Sequence, residues 1–134
     1  MIINGAMQVA QRSTSETSLG GNSGYYVCDR FRIGTNTSGR LTMSQDSSAP
    51  NGFGNSLKLD CTTADTSIGA SEVFSIQHKI EGQNLQQFAK GTSAAKEFTF
   101  SFYVKGNASA TYAVELIDND NSRQITKTFN PHRS

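Results

Sequence analysis

Residues 97–105 read EFTFSFYVK. Phe98, Phe100, Phe102 and Val104 take every second position, with Thr99, Ser101, Tyr103 and Lys105 between them. Side chains along an extended chain point to alternate faces, so this period gives one apolar and one polar face and predicts a β-strand. Three phenylalanines in one row read as a core strand rather than an aromatic binding platform, because large apolar rings are most stable away from water.

The pattern continues outward. TYAVELID, residues 111–118, alternates in the same way, and Gly106-Asn107-Ala108-Ser109 supplies turn residues between the two runs. A hairpin is expected there, with Tyr112, Val114 and Leu116 facing inward. Further alternating runs lie near 6–12, 25–33, 40–45, 56–61, 72–80 and 123–129, which makes about eight strands in all. GNSG, GTNTSG and SSAPNGFGNS carry the Gly and Pro punctuation that lets strands reverse or change sheets. Only between Ile80 and Lys96 does the period change: Leu85, Phe88 and Ala89 fall at helical spacing with Gly91 at the exit, so one short helical turn is expected near 83–90.

Short strands at this spacing predict an all-β fold, a two-sheet antiparallel jelly-roll sandwich in a single domain over 1–134. An immunoglobulin-type sandwich fits less well, because the loops are long and neither Cys nor Trp stands where that fold would place it. With 134 residues the chain can bury a sizeable core, and eight Phe and four Tyr without Trp supply it.

The formal charge of +1 is scattered rather than blocked, which excludes an electrostatic footprint for a nucleic-acid backbone or an anionic membrane. No apolar run is long enough to span a bilayer, and Met1 to Leu19 has no signal-peptide pattern, so a soluble product that does not use the usual export route is expected. Asn36-Thr37-Ser38 and Asn107-Ala108-Ser109 match the glycosylation sequon and read as chance in a chain rich in Asn, Ser and Thr. Cys28 and Cys61 are too few for a disulfide framework or a metal set and read as free thiols. Alternation puts Cys61 on the face of Leu57 and Leu59, and Cys28 opposite Val27 and Phe31.

Catalytic chemistry finds little to work with. Nucleophilic hydrolysis needs a base, and the only histidines are His78, mid-strand, and His132, near the end, neither in a nucleophile context. Glu72, Glu81, Glu97 and Glu115 lie at strand positions or edges, where a solvated carboxylate is the default. No catalytic residue is assigned, and no enzymatic activity is expected. DNDNS at 118–122 opens like a calcium loop, but Arg123 stands where the turn glycine belongs and Phe129 where the bidentate glutamate belongs. It reads as a polar hairpin turn. A structural calcium held by other loop oxygens stays open without a sequence signature; no other cofactor is expected.

GYYVCDRFRIG, residues 24–34, puts Asp29 into a row formed by Tyr25, Val27, Phe31 and Ile33. A carboxylate in an apolar row needs partners, and Arg12, Arg30 or turn amides can supply them. The preferred reading is a structural hydrogen-bonded corner joining this strand to the N-terminal one, ahead of a ligand site.

These residues also carry a family likeness. IINGAMQVAQRSTS followed by YYVCDRFRI resembles a domain of bacteriophage virion proteins, especially tail-fibre and appendage proteins of marine phages. Asn4, Gly5, Gln11 and Arg12 match its first motif, and Tyr26, Asp29, Arg30 and Phe31 its second, with Phe31 where Trp is commoner. IQHKIEGQNLQQF and EFTFSFYVKGNASATYAVEL resemble its Glu-Gly segment and its Phe-rich strand, so the likeness spans nearly the whole chain and lies above all in the order of its motifs. The resemblance implies a jelly roll akin to carbohydrate-binding modules and a virion protein assembled in the host cytoplasm, which needs no signal peptide. Related domains continue past a strand like RQITKTFN, whereas this sequence stops at Pro131-His132-Arg133-Ser134. Either its last strands are missing or a neighbouring subunit covers the edge, which motivates a homo-oligomer, a trimer as in phage fibres.

The expected role is therefore a virion structural protein, a tail-fibre or appendage component whose partners are other virion proteins. Two alternatives stand beside it: a module that binds a host-surface glycan in attachment, and a capsid decoration protein. For the glycan reading Tyr25, Phe53 and Tyr103 are the candidate ligand-binding aromatics, because sugars stack on exposed rings and Phe53 sits in the loop APNGFGNS.

Overall fold

The computed structural model describes residues 1–131; His132 lies outside the described residues. The fold is all-β, with antiparallel sheets and, among the described residues, one short 3-10 helix at Gly82–Phe88, where the helical turn is expected. The left-handed exit of that helix is taken by Ala89, with φ 47, two residues before Gly91. No helix among the described residues is long and apolar enough to cross a membrane.

The chain divides into two compact units, Met1–Phe98 and Thr99–Ser134. In the first, β1 (Ser15–Leu19), β3 (Arg40–Asp46) and β4 (Ser56–Thr63) form a three-stranded sheet in the order β1-β3-β4, and β2 (Phe31–Thr35) pairs with β5 (Phe74–His78). Leu19, Leu41 and Met43 of the larger sheet meet Phe31 and Ile33 of the smaller one, and Val27 and Cys28 complete the buried cluster. Each large member contributes about 1.5–3 kcal/mol by leaving water.

The register explains where this core stops. Phe31, Ile33 and Thr35 are buried, and their cross-strand neighbours His78, Ile76 and Phe74 share their face. Yet Phe74 and Ile76 are each 47% exposed, so the apolar face of the two-stranded sheet extends beyond its cover.

In the second unit β6 (Tyr112–Asp118) and β7 (Arg123–Phe129) form a hairpin in which Val114 is half-buried while Tyr112 and Leu116 stay exposed. DNDNS forms its turn, with Asp118 accepting from the Asn121 side chain at 2.7 Å. Phe102 and Tyr112 pack against Phe129 at 5.4 and 5.9 Å between ring centroids.

Four expectations need correction. Residues 6–12 form no strand: Asn4 and Met7 adopt left-handed φ of 58° and 55°, and the Asn4 side chain closes the chain into a local loop. The strand at this end is Ser15–Leu19, whose polar SETSL has no apolar alternation and which is held instead by backbone pairing to β3, with a bulge at Ser18, φ 58. EFTFSFYVK joins no ladder, and the hairpin partner of 112–118 is 123–129 rather than 97–105. A period-2 pattern states which way side chains would point; pairing also requires a free strand edge at the right place. Finally, 25–30 is bent rather than extended, with φ 74 at Arg30, so Val27 and Cys28 are both buried although they are adjacent. Both cysteines are free, Cys28 buried and Cys61 exposed within β4, opposite Leu41.

Candidate functional site

The wall of a cleft beside β2 is braced from Asn4. Its Oδ1 accepts the Val9 N–H at 2.9 Å and its Nδ2 donates to the Val9 carbonyl at 2.8 Å and to the Asp29 carbonyl at 3.0 Å. The Asp29 N–H in turn donates to the Val9 carbonyl at 2.9 Å. The N-terminal loop is thus tied to the bend that precedes β2 by one main-chain bond and by the Asn4 side chain.

That tie leaves the Asp29 carboxylate to the side. Its Oδ1 accepts the Gln11 N–H at 3.3 Å and stands 3.6 Å from Arg12 Nη1, with side-chain exposures of 18% for Asp29 and 58% for Arg12. Arg12 also lies 5.8 Å from the centroid of the Tyr25 ring, a cation–π arrangement. The left-handed turn at Arg30 sends its guanidinium to Glu81, 3.3 Å away, just before the 3-10 helix. Donation from Gln83, and then from Arg30, holds the Glu81 carboxyl below the usual carboxylate range.

Gln11, Arg12, Tyr25, Asp29 and Arg30, with Lys79 and Glu81, line an open cleft of about 570 Å³. Lys79 makes no ion pair among the described residues. Such a surface offers hydrogen-bond donors and acceptors around one aromatic ring.

Of the residues singled out in the sequence, Gln11, Arg12, Asp29 and Arg30 come together here, and Tyr25 joins them. Phe31 instead enters the core, edge-on to His78 at 5.0 Å. Phe53 lies in the loop between β3 and β4 and does not line the cleft; Tyr103 belongs to the other unit. The three aromatics chosen as glycan contacts therefore do not all line one cleft. Sequence reasoning missed Lys79 and the siting of Glu81. The signal that finds them is the β2–β5 register, which sets Phe31 opposite His78 and so brings residues 79–81 up to Arg30.

His78 is the last residue of β5, not a mid-strand one, and its Nε2 faces the backbone of Ile3, 3.3 Å from the N–H and 3.1 Å from the carbonyl. Its buried Nδ1 has no hydrogen-bond partner among the described residues.

A second polar knot lies elsewhere. Asp65 Oδ2 accepts the Thr37 hydroxyl at 2.6 Å and the Ser38 N–H at 3.1 Å, and Oδ1 accepts the Ser67 N–H at 3.0 Å. The Thr37 hydroxyl, followed by the Ser67 amide, holds the Asp65 carboxyl down at about 2. Glu72 accepts the same Ser38 N–H at 3.2 Å, so these carboxylates fasten loops. Among the described residues no group of three or more His, Cys, Asp or Glu side chains is arranged to hold a metal ion.

Comparison with protein-family models, with curated proteins and with solved structures finds no match.

Proposed function

We infer that this chain is a non-enzymatic structural protein of a bacteriophage virion, a tail-fibre or appendage component on a jelly-roll plan that assembles with copies of itself into a trimer. The assembly part is supported by one observation: in the unit from Thr99, Phe100, Phe102, Val104, Leu116 and Ile125 are 40 to 69% exposed around a hairpin whose strands pair only with each other among the described residues. A two-stranded hairpin is marginal in water on its own, and clustered apolar side chains favour a covering partner. The phage part is supported by the ordered motifs around Asn4, Arg12, Asp29 and Arg30. Such a protein assembles in the host cytoplasm and ends in the virion; a capsid decoration role makes the same demand for assembly.

Light scattering coupled to size exclusion tests this reading. A particle of three times 14.5 kDa supports it, and a well-folded monomer that binds no virion protein overturns it. Dissociation on adding a chelator reveals a structural calcium ion.

A second reading is favoured by the cleft at Tyr25, where a ring is surrounded by side-chain donors and acceptors: a glycan-binding module for host attachment. A glycan array without a signal above background removes it.

A further inference from the structure

The charges around the cleft do not cancel. Arg12 is paired with Asp29 and Arg30 with Glu81, which accounts for both carboxylates and two of the three cations. Lys79 remains, exposed and without an ion pair among the described residues. The cleft is left with one positive charge that its own carboxylates do not meet, at a surface where Tyr25 is the single aromatic lining residue.

We propose that this cleft seats a sugar ring that bears a carboxylate, as in a uronic or sialic acid, with Lys79 meeting the carboxylate and the Arg12–Tyr25 pair supporting the ring. This rests on the glycan-binding reading and names its ligand class. The face of the Tyr25 ring that Arg12 does not cover is a flat, apolar surface suited to the C–H face of a pyranose, and the guanidinium edge adds hydrogen-bond donors. Gln11 and Glu81 lie around it as partners for hydroxyl groups, and Glu81, 53% exposed in its side chain, keeps acceptor lone pairs beyond its bonds to Arg30 and Gln83. A nonpolar ligand fits poorly, because Tyr25 is the one lining residue with a large apolar surface and the other six are polar or charged. A neutral sugar would leave Lys79 unmatched, whereas a carboxylate forms a charge-assisted hydrogen bond with it.

The test uses the full chain and matched oligosaccharide pairs that differ only in one carboxylate: glucuronic acid against glucose, and sialylated against desialylated. Titration calorimetry is expected to show the acidic member binding about tenfold more tightly, with the preference lost in Lys79→Ala and all sugar binding lost in Tyr25→Ala. Both sites are exposed at the surface, and circular dichroism of each variant confirms the fold. Equal binding of both members, unchanged in Lys79→Ala, overturns the carboxylate assignment while leaving the glycan reading standing. No binding of any sugar by folded protein overturns both. Equally tight, Lys79-dependent binding of inorganic phosphate or a glutamate-rich peptide overturns the sugar assignment.

Discussion

Asn4 grips Val9 by both of its backbone polar groups, accepting the N–H at 2.9 Å and donating to the carbonyl at 2.8 Å. One side chain thus does for the N-terminal loop what a neighbouring strand does for a strand. The same amide reaches the Asp29 carbonyl at 3.0 Å, so the loop and the cleft wall depend on one residue. Asn4→Ala removes all three bonds and places Ala at φ 58, a region costly to residues other than Gly, Asn and Asp. A loss of about 1–3 kcal/mol is expected in urea unfolding, with Asn4→Asp intermediate because it keeps the acceptor.

Gly20 lies against the loop that Arg40 braces. An added Cβ there would overlap the Gly39 carbonyl oxygen, a backbone atom that cannot swing aside, while the Gly20 carbonyl accepts from both Thr35 Oγ1 and Thr37 N–H. Gly20→Ala is expected to lower stability by about 1–3 kcal/mol, whereas Gly21→Ala, with open space around it, changes little. Thermal unfolding of the two variants distinguishes them.

Asp65 gives the fold an acid-side dependence. Its folded carboxyl titrates at about 2 against an ordinary 3.8, so the fold favours the ionised form. The stabilisation is complete above the ordinary value and declines as pH falls toward about 2. Denaturation midpoints between about pH 5 and about pH 2 should fall less steeply in Asp65→Asn than in the parent, the two curves converging at the acid end.

The two thiols should react at very different rates. Burial, and next the neighbouring Asp29 charge, pushes the Cys28 thiol up, while Cys61 is exposed on β4. An aromatic disulfide reagent is expected to modify one thiol promptly in native protein and the second only on unfolding; Cys61→Ser abolishes the prompt phase.

The Arg12–Asp29 pair should matter little to stability. At 3.6 Å, with Arg12 58% exposed, it belongs to the class worth about 0–1 kcal/mol. Arg12→Ala is expected to unfold within about 1 kcal/mol of the parent, and a double-mutant cycle with Asp29→Asn measures the coupling directly.

Much of the fold was legible from local pattern. RQITKTF, RLTMSQD and FSIQH alternate or carry β-branched residues, and each lies in a ladder; the spacing of Leu85 and Phe88 marked the one helical segment. SETSL was invisible because nothing apolar repeats in it, and its place comes from hydrogen bonds to β3 that any sequence of backbone amides can make. EFTFSFYVK was misleading for the opposite reason: its pattern is strong, but a pattern supplies no neighbour.

The same division runs through the candidate site. Arg12, Asp29 and Arg30 stood out because a carboxylate among apolar residues requires cations, a demand visible from chemistry alone, although only Arg12 meets Asp29 and Arg30 turns to Glu81. Lys79 and Glu81 sit about fifty residues downstream of Arg30 and carry no such signal. Only the register of β5 against β2 sets them beside Arg30, and only the bend at 25–30 turns Tyr25 outward. Local pattern alone made this an antiparallel, all-β chain with polar corners, since alternation and turn chemistry belong to short stretches. Which strands are neighbours, and so which distant charges share one cleft, was decided by tertiary structure, because pairing depends on edges and registers that no short stretch contains.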